Sequence, residues 1–133
     1  MSGTSSGPKP ASILLVDDAL ANLRVMTKML KEQGYEVRPM PSGALALKAA
    51  ENDPPDLILL DINLPEMSGF EVLRHLRDME ATKEIPVVAL SANAMADDLR
   101  KGEEAGFNGY LTKPINVKEF FSVLEPKIGR AHV

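Results

Sequence analysis

Residues 57–65 read LILLDINLP, an apolar run of strand length that ends on a carboxylate, Asp61, four residues before Pro65. A carboxylate at the end of a buried strand is costly to desolvate, so its surroundings must stabilise the charge or use it. Outward from this stretch the same rhythm recurs. ILLV (13–16) predicts a short buried strand, and ALANLRVMTKMLKEQ (19–33) an amphipathic helix closed by Gly34. EVRPM (36–40) is a weaker strand whose internal proline argues for a sheet edge, and SGALALKAAEN (42–52) is a helix with Ser42 as its cap. DLILL (56–60) is the most apolar strand, SGFEVLRHLRD (68–78) is amphipathic, and IPVVAL (85–90) is a fourth strand. A fourth helix fits AMADDLRKGEEA (94–105), a short strand NGYLT (108–112), and a last helix, capped by Asn116, NVKEFFSVLEPK (116–127).

Five strands alternating with five helices predict a parallel sheet covered on both faces, a doubly wound α/β fold. In such sheets ligands bind outside the carboxyl ends of the strands, where the strand order reverses. Just past the predicted strands stand Asp17 and Asp18, then Asp61, Ser91 and Lys113. The second strand contributes nothing comparable. Three carboxylates on one rim repel one another, so cations are required. Lys113 supplies one charge and a divalent ion would supply two. Magnesium suits the site, being a hard ion that takes a few oxygen ligands, here Asp18, Asp61 and a backbone carbonyl, and that often binds together with a phosphate. With no histidine or cysteine on the rim, zinc and copper lack their preferred donors. Taken singly, the Asp pair and Ser91 read as helix caps and Lys-Pro as a loop. All of them at successive strand ends make that bland reading improbable.

The chain has 133 residues, enough for one domain that buries roughly two-thirds of its unfolded surface. We expect a disordered leader over 1–11, one domain over 12–127 and a short tail over 128–133. The absence of cysteine excludes a disulfide framework, a thiolate metal site and a cysteine nucleophile. No apolar run approaches the roughly 20 residues that span a bilayer, and no signal-peptide core precedes the domain, so the expected location is the cytoplasm without membrane contact. The net charge of −4, with both signs mixed along the chain, leaves no basic patch for direct nucleic-acid binding.

At LLVDD (Asp17, Asp18), LLDINLPEMSG (Asp61), VALSA (Ser91) and YLTKP (Tyr110, Lys113, Pro114) the sequence resembles the receiver domain of bacterial two-component response regulators. Each motif is weak or moderate alone; their order and spacing together are specific, and the resemblance covers about residues 12–127. It implies a flavodoxin-like (βα)5 sandwich of strand order 2-1-3-4-5. It implies that Asp61 accepts a phosphoryl group from a phosphohistidine on a sensor histidine kinase or histidine phosphotransfer protein. Asp18 and Asp61 would bind Mg2+ directly, Asp17 through water and Asn63 through its backbone carbonyl, with Mn2+ as a substitute ion. Lys113 and Ser91 would hold the phosphoryl oxygens. Ser91 and Tyr110 would switch the face made by the fourth helix, fifth strand and fifth helix toward a downstream protein partner. Such a chain signals; its own chemistry is confined to Mg-dependent self-phosphorylation and slow self-dephosphorylation.

The resemblance further implies a cis bond before Pro114 and a phosphoryl lifetime tuned by Asn63 and Asn93, slow to moderate here. Ser91 keeps the hydroxyl of the family's commoner threonine and loses its methyl. Gly109 and Ile115 stand where the winged-helix subfamily commonly has an acidic residue and Phe, which places its dimer mode in doubt. The NGYLTKPI and SANAM wording is closer to receivers of hybrid sensor kinases or stand-alone receivers. After Lys127 only IGRAHV follows, leaving no output domain in this sequence; a single-domain regulator and an excised receiver both fit. His75 and His132 lack surroundings that suggest a phosphodonor. The enzymatic rival is a phosphatase of haloacid-dehalogenase type, but that family carries a second Asp where Asn63 stands, and its paired acids follow the lysine. A flavin or nucleotide module would need a Gly-rich loop after the first strand, and none is present.

Overall fold

A computed structural model describes residues 10–92, 100, 104–113 and 117–128, the last segment with side chains at 118–123. The elements are β1 (Ser12–Val16), α1 (Leu20–Glu32), β2 (Glu36–Met40), α2 (Gly43–Asn52), β3 (Leu57–Asp61), α3 (Gly69–Asp78), β4 (Val87–Ser91), β5 (Gly109–Thr112) and a C-terminal helix (Val117–Ile128). Arg100, Glu104 and Ala105 are helical, inside the helix expected over 94–105. The expectations for Asn93, Pro114, Asn116, His132, the first nine residues and those after 128 lie outside the described residues.

All four strand pairings are parallel, and the order is β2-β1-β3-β4-β5. This is the flavodoxin-like doubly wound sheet. Because the three central strands β1, β3 and β4 are buried on both faces, their residues are apolar without alternation: Ile13 to Val16, Leu57 to Leu60 and Val87 to Leu90 are all 0–1 % exposed. Successive side chains nonetheless divide between two cores. Ile13, Leu15, Leu57, Leu59 and Leu90 pack with Leu23, Met26 and Leu30 of α1 and Phe120 of the C-terminal helix. Leu14, Val16, Ile58, Leu60 and Ala89 pack with Ala46 and Ala50 of α2 and Val72, Leu73 and Leu76 of α3.

The expected cap Ser42 is in place, and Ser68 caps α3 in the same way. Ser42 Oγ accepts from Leu45 N–H and Ser68 Oγ from Glu71 N–H. The cap position of α1 is Ala19, whose side chain can accept nothing; its N–H instead donates to Asp17 Oδ1 at 2.9 Å. Gly34 ends α1 with φ 95°, where a side chain would be strained, and donates to the Lys31 carbonyl. β2 lies at the sheet edge as its proline requires. Glu36 N–H donates to Ala11 and the Met40 carbonyl accepts from Asp17, so the missing N–H of Pro39 falls on the open side.

Candidate functional site

The chain runs outward from β1 to β2 and then returns across β1 to β3, so the strand order reverses between β1 and β3. Their carboxyl ends carry Asp17 and Asp61. Residues 44 positions apart thereby become neighbours. Carboxylate oxygens of Asp17, Asp18 and Asp61 lie within 4.8 Å of one another. Asp17 is 0 % exposed and Asp61 4 %, whereas Asp18 faces solvent.

Lys113, one residue past β5, reaches over β4 to this group. Its Nζ stands 2.8 Å from Asp17 Oδ2 and 2.8 Å from Asp61 Oδ2. Burial disfavours the Lys113 ammonium, but its hydrogen bonds and charge attraction to Asp17 and Asp61 outweigh that and hold its pKa above the ordinary lysine value. The lysine is anchored at its base as well, since its N–H donates to the Ser91 carbonyl at 2.8 Å. Ser91 itself ends β4, is fully buried and pairs in register with Thr112.

The carboxylates of Asp17 and Asp61 also have local partners. Asp61 Oδ1 accepts from Asn63 N–H at 2.8 Å, a turn that presents the loop after β3 to the rim. Asp17 Oδ1 holds the start of α1, and Asn22 Nδ2 donates to Asp17 Oδ2 at 3.4 Å. Tyr110 is half-buried on β5, beside Ala89 in register, and packs against the α2/α3 core. His75 is exposed on α3, away from this rim.

Two supports went unread in the sequence. Gly69, the first residue of α3, donates its N–H to the Ile62 carbonyl; a Cβ there would stand 2.6 Å from Ile62 Cα and 2.7 Å from the Asp61 carbonyl oxygen. Only glycine lets α3 pack this closely on the chain leaving Asp61. Its signal was the Ser-Gly pair that opens the helix. Asn22 carried no signal, because only the wound helix brings it over Asp17.

The model of the response regulator receiver domain matches residues 13–125. The chain belongs to this family. The receiver is 38% identical over 120 residues to the polar-differentiation response regulator DivK of Brucella ovis, covering 90% of this chain and 98% of that one. Among solved structures it is similar to the receiver domain of sensor histidine kinase PA1611 from Pseudomonas aeruginosa, at 37% identity and TM-score 0.83, covering 90% of this chain and 98% of that one. That structure has a magnesium ion coordinated in its active site cleft. Chemotaxis protein CheY4 of Vibrio cholerae aligns at 29% identity and TM-score 0.83, covering 90% of this receiver and 99% of that chain. Nothing in these likenesses points to a phosphatase, and no described helix of the receiver is long and apolar enough to cross a membrane.

Proposed function

We propose that this receiver works in a two-component phosphorelay with Asp61 as the residue phosphorylated. The observation that carries the reading is the Asp61 carboxylate itself: nearly buried at the switch point of the sheet, held by Lys113 and Asn63 N–H, and flanked by two further acids. A carboxylate oxygen of Asp61 attacks the phosphorus of a phosphohistidine on a sensor histidine kinase or histidine phosphotransfer protein. The P–N bond breaks, the imidazole leaves with the electron pair, and a P–O bond completes an acyl phosphate. Such transfer asks the protein chiefly for positioning and charge neutralisation. Lys113, its backbone tied to β4 and its Nζ already beside Asp61, pairs with the phosphoryl group.

Three clustered carboxylates, one exposed to solvent, fit the oxygen chemistry of Mg2+. Asp18 and Asp61 would hold the ion directly, Asp17 through water and Asn63 through its carbonyl. When bound, it neutralises charge on the phosphoryl oxygens.

Converting a carboxylate to an acyl phosphate adds about one negative charge and three strong acceptors. The Ser91 hydroxyl, buried at the end of β4, turns toward them, and half-buried Tyr110 follows inward, reshaping the surface around β5 and the C-terminal helix for a downstream partner. Asn63, exposed beside the acceptor, and Asn93 tune how long the phosphoryl group lasts.

Incubation with magnesium and a small acyl phosphate should add one labile phosphate by intact mass, and Asp61→Ala should abolish it. An unmodified wild type, or an unchanged adduct in the variant, overturns the assignment. Turnover of free phosphomonoesters would favour the phosphatase instead.

A further inference from the structure

The open edge of β2 and the outer flank of α1 form a groove of about 810 Å³ at the far side of the sheet from β5 and the C-terminal helix. Its walls are apolar where Leu20, 64 % exposed, meets Pro39 and Pro41. Its rim is basic. Arg24, Lys28 and Lys31 follow one another at spacings of four and three along the same stripe of α1, and Glu32 is the acid that lines it. None of these three cations has a carboxylate partner among the described residues, in a chain whose formal charge is −4. The hydroxyl of Thr27, on the groove wall, is shielded from solvent without a hydrogen-bond partner.

We propose that this groove docks an acidic amphipathic helix of a partner protein. Apolar residues on one stripe of that helix would cover Leu20, Pro39 and Pro41, and carboxylates at its edge would meet Arg24, Lys28 and Lys31. An added strand fits less well. The outward backbone of β2 belongs to Val37 and Pro39, and the proline has no N–H to offer a ladder. A helix satisfies its own backbone and needs only a groove of its length, about 20 Å along the 13 residues of α1. The proposal does not depend on Asp61, because no groove residue belongs to the phosphoacceptor rim.

The test uses a fluorescent peptide of about 14 residues, leucines at helical spacing on one face and glutamates flanking them, with a lysine-for-glutamate version as control. Amide shifts on adding the acidic peptide should cluster at residues 20–32 and at Gly34 to Ser42. The Lys28→Glu/Lys31→Glu double variant should weaken binding about tenfold or more. That variant should still take phosphate from the small acyl donor at the wild-type rate, which separates a failure here from a failure of the Asp61 reading. Absent binding at millimolar peptide, equal binding of the lysine version, or shifts centred elsewhere would overturn the proposal. So would binding of anionic lipid vesicles, or concentration-dependent dimerisation, that the double variant abolishes while the peptide remains inert.

Discussion

At the residue scale, Lys113 decides how the acids of the rim are tolerated. Its ammonium pairs at once with two carboxylates that are almost wholly buried. Removing one partner from such a group leaves charge buried without compensation, so Lys113→Met should cost about 3 kcal/mol in urea unfolding without metal. Added magnesium should return part of that loss. The pH dependence follows from the raised pKa of Lys113: its contribution is complete below the ordinary lysine value near ~10.4 and is lost only as pH climbs through the higher folded value. Metal-free stability should therefore not fall between neutral pH and about 9 on this lysine's account, which a urea series at each pH checks. Gly69 acts by what it lacks. A methyl group there collides with backbone, not with a side chain that could move, so Gly69→Ala should cost about 1–3 kcal/mol. By displacing Asp61 it should also slow phosphorylation from acyl phosphate at least about tenfold.

At the element scale, the end of α3 is tied to the strands it serves by one side chain. Arg77 donates to the carbonyls of Thr82, Lys83 and Ile85 and to Asn108 Oδ1, and Asn108 Oδ1 also accepts from Val87 N–H. Burial lowers the Arg77 pKa, yet a guanidinium remains charged at any physiological pH. The connection before β4 and the turn before β5 therefore share one clamp, and its planar fork is what reaches several acceptors. Arg77→Ala should cost about 2 kcal/mol, and Arg77→Lys should recover little of it, because an ammonium cannot span the same set. Faster amide exchange at residues 79–87 in both variants would be the accompanying sign. The start of α1 shows a comparable economy: Asp17 serves as acceptor for the Ala19 N–H and as partner of Lys113. One carboxylate thus links the first helix to the fifth strand.

At the scale of the whole molecule, the rim exists because a parallel sheet gathers the ends of strands that lie far apart in sequence. A divalent ion that binds there should stabilise the folded state by mass action, about 2.7 kcal/mol at a hundredfold excess over Kd. Asp18→Ala should remove that magnesium-dependent rise in Tm. Since Asp18 is exposed and adds to a like-charged cluster, the metal-free Tm should stay unchanged or rise slightly, and scanning calorimetry with and without magnesium checks both. The alternation of apolar runs and amphipathic stretches was enough to determine the five strands, the helices given above, the parallel sheet and the rim carrying Asp17, Asp18, Asp61, Ser91 and Lys113. These follow from periodicity and chain connectivity, which are local or nearly so. Four matters were decided only by the tertiary structure. They are the bond of Lys113 to both buried acids, the replacement of an α1 cap by Asp17, the close seat of Gly69 on Asp61, and the basic groove beside β2. Each depends on the distance between segments remote in sequence or on the exact path of the backbone, and residue order alone encodes neither until the chain has packed.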